Sequence, residues 1–230
     1  MTSSIAANLQ AVRVRIARAC ERAGRSAGDV QLLAVSKTHA AAAVREAHAA
    51  GQRLFGENRV QELVAKAADT SLLPGLQWHL IGSLQTNKVG GLLRVPGLAM
   101  VHSLDRKRLA DELQRELDRS GRKLPVLLQL HATDEASKHG CPMAAAPALL
   151  EHVQRHCPSL DLVGVMAMGP LAGDPGPAFA RVAALRTRLR ADSGLDLPVL
   201  SLGMSSDLEA AVAAGSTLVR IGTGVFGPRG

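Results

Sequence analysis

The stretch VQLLAVSKTHAAAAVREAHAAGQRLFG, residues 30–56, changes its hydrophobic pattern twice and sets the expected fold. Residues 30–36 form a short apolar run of the kind shown by buried parallel strands. Residues 40–50 are alanine-rich with helical spacing, and a second apolar run occupies residues 53–56. The pattern predicts a strand, a helix and a second strand, a unit whose two strands lie parallel in one sheet.

The same alternation continues to the end of the chain. An amphipathic helix precedes it, with an apolar stripe that runs from Ile5 to Cys20. Further strands are predicted over residues 77–82, 100–103, 125–130, 160–166, 199–203 and 218–222, and further helices over residues 59–68, 106–120, 144–156, 177–193 and 207–214.

Eight strand–helix units after one extra helix predict an α/β protein, a single-domain (β/α)8 TIM barrel over residues 1–230 with an additional N-terminal helix. An open doubly wound sheet is the alternative. Such a sheet would more often carry a G-x-G-x-x-G fingerprint after its first strand, where this chain has Ser-Lys-Thr at residues 36–38.

The composition is that of a globular protein, and it argues against nucleic acid and membranes as binding partners. A net charge of +7 favours an anionic ligand, but an aromatic content of 2% disfavours stacked nucleic-acid bases. No apolar run is long enough to span a bilayer, the N-terminus does not resemble a signal peptide, and the three cysteines lack C-x-x-C spacing. The sequence also lacks a heptad seam. We therefore expect a cytoplasmic monomer that binds neither membrane nor nucleic acid.

The end of the first predicted strand carries a lysine in a chain that prefers arginine. Lys37 is one of only six lysines among 27 basic residues. An amine loses its proton when desolvated and then attacks carbonyl groups, whereas a guanidinium stays charged. In a TIM barrel the chemistry lies at the carboxyl ends of the strands, where Lys37 is placed. An ordinary exposed lysine after a strand is an equally good interpretation of this position alone.

The last two predicted strands end in turns suited to a phosphate. Gly203 and Gly222 permit close approach of the backbone, and Ser205 and Thr223 offer hydroxyl groups. Arg220 lies within an apolar run, where its guanidinium needs an acceptor. Because the first and last strands of a closed barrel pair, the lysine and the phosphate site would be neighbours. The ligand then carries a phosphate and a carbonyl, as do pyridoxal 5′-phosphate (PLP) and phosphorylated sugars.

Six motifs spread over nearly the whole chain resemble the pyridoxal phosphate homeostasis protein family. They are AVSKT (34–38), FGENRVQE (55–62), WHLIGSLQTNK (78–88), DEASKHG (134–140), GMSSDLEAA (203–211) and GSTLVRIGT (215–223). The resemblance implies a PLP-binding barrel of fold type III, like the N-terminal domain of alanine racemase without its second domain.

The resemblance also implies roles for individual residues. Lys37 matches the lysine that holds PLP as a Schiff base, and Arg220 matches the arginine that faces the pyridine nitrogen. The phosphate would be bound by Ser205, Gly222 and Thr223. The other edge of the cofactor would be lined by Asn58 and His79. His131 departs from the family pattern, in which asparagine often ends the fifth strand, so no role is assigned to it.

An arginine at the pyridine nitrogen weakens the cofactor as an electron sink, because it disfavours protonation of that nitrogen. Racemases of this type add a tyrosine base from a second domain, and this chain has no tyrosine. We therefore expect a non-enzymatic protein of vitamin B6 homeostasis that buffers PLP or delivers it to PLP-dependent apoenzymes. The alternatives are a reduced amino-acid racemase, with Ser103, His79 or His131 as second proton acceptor, and a Schiff-base aldolase acting on a sugar phosphate.

Three further groups of residues carry weaker signals. His152, His156 and Cys157 could present donors to a metal from one helical turn, but no further ligand stands at a recognisable spacing, so no metal site is predicted. Lys88 and Lys138 follow polar runs near strand ends, where they would either attract anions or simply be solvated.

Overall fold

The computed structural model of the protein describes residues 4–133 and 140–228. The helices are α1 (Ile5–Arg22), α2 (Ala41–Ala49), α3 (Val60–Asp69), α4 (Val89–Leu93), α5 (Lys107–Asp118), α6 (Ala146–His156), α7 (Gly176–Ser193), α8 (Leu208–Ala213) and α9 (Thr223–Phe226). The strands are β1 (Gln31–Val35), β2 (Leu54–Glu57), β3 (Gln77–Leu80), β4 (Leu98–Leu104), β5 (Leu124–His131), β6 (Cys141–Pro142), β7 (Leu160–Ala167), β8 (Val199–Ser201) and β9 (Leu218–Ile221).

Eight of these strands close into a parallel barrel. Their order is β4-β3-β2-β1-β9-β8-β7-β5, and an additional pairing of β4 with β5 completes the ring. The two-residue β6 pairs with the end of β5 and adds to it outside the ring. This arrangement confirms the predicted (β/α)8 fold class with an extra N-terminal helix.

Side chains from alternate positions fill the barrel, while the outward positions pack beneath the helices. The pairing of Leu33 with Arg220 and of Ala34 with Ile221 places β1 beside β9, as closure requires. Gly164 allows β7 to approach β8, because a Cβ at this position would lie 1.9 Å from the carbonyl oxygen of Val199. Any side chain there would therefore push the two strands apart.

The observed elements differ from the predicted ones at a few points. β8 ends at Ser201, two residues early, because Gly203 takes a left-handed φ of +91° that no strand continues. The short elements α4, β6 and α9 were not predicted. α4 spans five residues of which two are glycines, too few and too poor in helix formers to give a periodic signal.

The N-terminal helix α1 packs against the end of the chain. Its buried face includes Leu9, Val12 and Ile16, and it contacts α2, α8 and α9. The side-chain amide of Asn8 donates to the carbonyl oxygen of Val225 over 3.0 Å. Among the described helices none is both long and apolar enough to cross a membrane.

Candidate PLP site

A cavity of about 620 Å³ opens at the carboxyl ends of the barrel strands. This volume lies within the range of small-molecule sites, and it exceeds that of a second cavity of about 330 Å³ beside Arg13 and Arg53. The lining of the larger cavity includes the predicted site residues Lys37, Asn58, Ser205, Arg220, Gly222 and Thr223.

Lys37 lies in the short loop after β1, half-buried at the cavity wall. The loop is held on both sides of the lysine. The backbone nitrogen of His39 donates to the carbonyl oxygen of Ser36 over 3.0 Å, and that of Thr38 donates to Glu62 Oε2 over 3.2 Å. Thr38 has a left-handed φ of 68°, which is uncommon for a β-branched residue. The surrounding contacts therefore impose this backbone conformation beside the amine.

A buried network supports the same loop from below. Glu57, at the end of β2, is fully buried, and its Oε1 accepts from Ser36 Oγ and from Lys66 Nζ, each over 2.6 Å. Lys66 Nζ also donates to the carbonyl oxygen of Ser36 over 2.7 Å. Desolvation raises the pKa of Glu57, and the hydrogen bonds from Lys66 and Ser36 oppose this rise. Glu57 and Lys66 thus fix the residue that precedes Lys37.

Arg220 is 4% exposed and reaches the cavity from β9. Its Nη1 donates to the carbonyl oxygen and the Oγ of Ser201, each over 2.7 Å, and its Nη2 donates to the carbonyl oxygen of Ala167 over 2.9 Å. Burial lowers the pKa of Arg220 to about 10, while the charge of Asp207 acts in the opposite direction. The guanidinium therefore remains a cation at neutral pH, held by neutral oxygens.

His79 is not among the residues that line this cavity, although the family resemblance places it at the cofactor's edge. It lies beneath the cavity inside the barrel, with Nδ1 2.9 Å from His102 Nε2. His102 Nδ1 in turn lies 3.5 Å from Ser201 Oγ. Burial lowers the pKa of His79 to about 4 and that of His102 well below its usual value, so both rings are neutral at pH 7.

Arg220 lies at the upper end of this chain of contacts. A guanidinium only donates, so Ser201 Oγ accepts from Arg220 and can donate its own proton to His102 Nδ1. When the hydroxyl is oriented in this way, His102 Nε2 carries the ring proton and donates to His79 Nδ1. Arg220 is thus connected to the two histidines through Ser201, and the orientation of that hydroxyl determines their tautomers.

The two turns predicted for the phosphate lie side by side. The backbone nitrogen of Gly224 is 3.4 Å from Ser205 Oγ and joins one turn to the other. Gly203 needs its positive φ and its lack of a side chain, because a Cβ would lie 2.5 Å from that of Ala211. Asp207, which directly precedes α8, makes no capping hydrogen bond to that helix, and its Oδ1 accepts from the backbone nitrogen of Met204 over 2.5 Å.

The extra helix α1 braces the first of these turns. Arg15 Nη1 donates to the carbonyl oxygen of Ser205 over 2.6 Å. Its other nitrogens pair with Glu209 in α8 over 2.6 and 2.5 Å. The helix that precedes the barrel is therefore connected directly to the turn that carries Ser205.

Ser103 and His131, the other two candidates for a second proton acceptor, do not line the cavity either. Ser103 is buried in β4, and its Oγ has no hydrogen-bond partner among the described residues. His131 is half-buried at the end of β5. Lys88 is half-buried in a turn after β3 and is also absent from the lining, while Lys138 lies outside the described residues.

Several lining residues were not predicted. Gln129, a polar residue inside the apolar run of β5, carried a usable signal, since a buried polar side chain needs a partner. Met166, Met168 and Met204 carried none, because methionine is an ordinary core residue. The remaining unpredicted residues are Val35, Ile81, Gly82, Ser83 and Ser206.

An amine, a buried arginine and the paired turns predicted to bind a phosphate surround one cavity of a (β/α)8 barrel, an arrangement typical of proteins that hold a phosphorylated carbonyl compound. Residues 7–230 match the family described as "Alanine racemase, N-terminal domain", and the chain belongs to this family.

Its relatives carry a more particular name. The chain is 46% identical over 227 residues to the pyridoxal phosphate homeostasis protein of Pseudomonas aeruginosa, with 99% of this chain and 96% of that one covered. It is 42% identical over 234 residues to the human protein of that name, with coverage of 96% and 85%. PipY of Synechococcus elongatus, 38% identical, has been solved without PLP and with PLP bound, with TM-scores of 0.88 and 0.85 and coverage of 97% and 100%. These relatives confirm the resemblance inferred from the six motifs.

Proposed function

We propose that this chain is a PLP-binding protein of vitamin B6 homeostasis that holds the cofactor as a Schiff base on Lys37 and buffers or delivers it. The observation that carries the proposal is that Lys37, Arg220 and the turns bearing Ser205 and Thr223 face one cavity. Its relatives are named for the same role, and PipY has been solved with PLP bound.

The residues present fit the cofactor chemically. Lys37 supplies the amine, Ser205 and Thr223 supply hydroxyl groups for a phosphate, and Arg220 supplies a cationic donor for the pyridine nitrogen. Gly222 lies against the backbone of β1, and a Cβ at this position would lie only 3.3 Å from the carbonyl oxygen of Val35. Asn58 lines the remaining edge, and we assign His79 to the support of Arg220 through Ser201 rather than to direct contact.

The electrostatics of the cavity support a carrier rather than an enzyme. PLP, when bound, supplies an aldehyde for reversible attachment to an amine and a pyridine ring that can accept electrons. The guanidinium of Arg220 disfavours protonation of that ring and so limits electron withdrawal. Lys37 and Arg220 are the only titratable side chains among the described residues that line the cavity. A racemase needs a second proton acceptor on the opposite face, and none of Ser103, His79 and His131 lines the cavity.

The absorption spectrum tests this function. The purified protein, loaded with PLP, is expected to be yellow, and borohydride reduction should remove the visible band and leave the cofactor's mass on Lys37. Lys37→Ala should lose the band, while Lys88→Ala, which changes a half-buried lysine outside the lining, should keep it. A colourless wild-type protein would favour the aldolase, and racemisation of amino acids by the yellow protein would favour the reduced racemase.

The wider setting is also part of the proposal. We infer that residues 1–230 act as one PLP-binding unit, that the protein is a cytoplasmic monomer, and that PLP-dependent apoenzymes receive the cofactor from it. Size-exclusion chromatography with light scattering tests the monomer. Incubation of the loaded protein with an apoenzyme tests delivery, and activation no faster than with free PLP at equal concentration would leave buffering alone.

A further inference from the structure

Helices α5 and α6 bring together three side chains that bind transition metals. Asp111 lies on α5, His152 lies on α6, and Cys157 directly follows α6. Their donor atoms, a carboxylate oxygen, a ring nitrogen and the thiol sulfur, all lie within 4.8 Å of one another. The sequence presented only His152, His156 and Cys157, and the fold adds Asp111, which stands 41 residues before His152.

The distances are close to those of a metal centre. His152 Nε2 and Asp111 Oδ1 are 2.6 Å apart in a hydrogen bond that already orients the ring. Tetrahedral zinc has bonds of about 2.0–2.3 Å, which place neighbouring donor atoms roughly 3.3–3.8 Å apart. Spreading the carboxylate from the ring and drawing the three donors inward needs shifts of about 1 Å. The side chain of Asp111 is 56% exposed and has the freedom to make this adjustment.

The burial and the donor atoms of these side chains suit a zinc ion. Cys157 is buried, whereas the His152 side chain retains 17% exposure, so an ion would enter from the solvent side. The ring of His156 lies 4.9 Å from that of His152, centroid to centroid, and can supply a fourth donor, as can water. A set of sulfur, nitrogen and oxygen donors suits zinc and excludes magnesium and calcium, which require oxygen ligands.

We propose that Asp111, His152 and Cys157 form a zinc site that joins α5 to α6. When the ion binds, the Cys157 thiol releases its proton to solvent as the sulfur–zinc bond forms. His152 Nε2 gives up to solvent the proton that it donates to Asp111, the ring then carries its proton on Nδ1, and the hydrogen bond is replaced by a bond from each residue to the metal. The three residues lie outside the cavity lining, and their helices flank β5, across the barrel from β1 and β9. The proposal is therefore independent of PLP binding.

Titration of the metal-free full-length protein with cobalt(II) tests this site, because cobalt replaces zinc and is coloured. The wild type is expected to develop a thiolate-to-cobalt band in the near ultraviolet and the visible bands of a tetrahedral ion, saturating at about one equivalent and reversed by zinc. Cys157→Ser should abolish the near-ultraviolet band. Asp111→Asn and His152→Gln should each weaken cobalt binding by about tenfold or more.

Cys20→Ser and Cys141→Ser are the matched controls, since each removes another buried thiol and should keep the band. Zinc should raise the melting temperature of the wild type but not that of Cys157→Ser, which also reports whether the variant folds. The proposal is overturned if saturating cobalt gives no thiolate band in the wild type, or if the band survives in Cys157→Ser. An unchanged affinity for cobalt in both Asp111→Asn and His152→Gln would overturn it as well. Asp111→Asn alters an exposed side chain and is therefore expected to fold.

Discussion

The buried pair of Glu57 and Lys66 shows how much of a site can depend on residues that do not line it. Neither contacts the cavity, yet both hold Ser36, the residue before Lys37. Breaking a buried ion pair by removing one partner costs about 3–5 kcal/mol, whereas replacing both by apolar residues of similar size can be neutral. A double apolar variant can therefore keep the stability of the protein while losing the contacts that position Ser36, which separates the two roles of the pair.

We therefore expect Lys66→Met to lower the free energy of unfolding by about 3–5 kcal/mol, and the double variant Glu57→Leu, Lys66→Met to recover most of it. PLP attachment, followed by stopped-flow absorbance, should nevertheless be about ten- to a hundredfold slower in the double variant, because the loop bearing the amine loses two anchors. A double variant that is stable and binds PLP at the wild-type rate would show that the pair serves stability alone.

The two buried histidines predict how stability depends on pH. Each has a pKa below its unfolded value, so between the folded and unfolded values the unfolded chain binds more protons. Stability from this source is full above about pH 6.5 and is lost as the pH falls towards 4. For His79 alone the loss between pH 7 and pH 5 is about 2 kcal/mol.

Urea unfolding at pH 7 and pH 5 measures this effect. Glu57, with a raised pKa, contributes in the opposite direction, so the informative quantity is the difference between wild type and His79→Gln. We expect the variant to lose about 2 kcal/mol less than the wild type on acidification. Equal losses in the two proteins would mean that His79 titrates normally in the folded state.

At the scale of the elements, α1 links the start of the chain to the turn that carries Ser205. Arg15→Ala should weaken PLP affinity by about fivefold, roughly the worth of one hydrogen bond, with little change in melting temperature because the side chain is partly exposed. Arg18→Ala removes an exposed arginine from the same helix and should leave the affinity unchanged. Equal affinities of the two variants, measured by fluorescence titration, would contradict a bracing role for α1.

The same elements show what a sequence reveals. The eight barrel strands were predictable because each is a short apolar run bounded by polar residues, and closure of the barrel then placed Lys37 near Arg220. The position of His79 was not predictable in this way. It is buried in β3 below the cavity, and a motif alone does not give the depth of a side chain within the barrel.

Glu57 and Lys66 were missed for a different reason. Glu57 directly follows the strand predicted over residues 53–56, and Lys66 lies within the helix predicted over residues 59–68, so neither position signals a buried charge in the sequence. Only the packing of α3 against β2 and β3 shows that the two charges are buried together. Pairing of distant charges depends on tertiary contacts, which periodicity does not encode.

At the scale of the whole molecule, the site is assembled from both ends of the chain. Lys37 comes from the first strand, the paired turns come from the seventh and eighth barrel strands, and α1 lies against α8 and α9. A nascent chain emerging from the ribosome would expose Lys37 long before residues 203–223 have been translated. On the proposed mode of binding, a growing chain lacks the turns that would hold the phosphate, so the cofactor is retained only after residues 203–223 have been translated and folded.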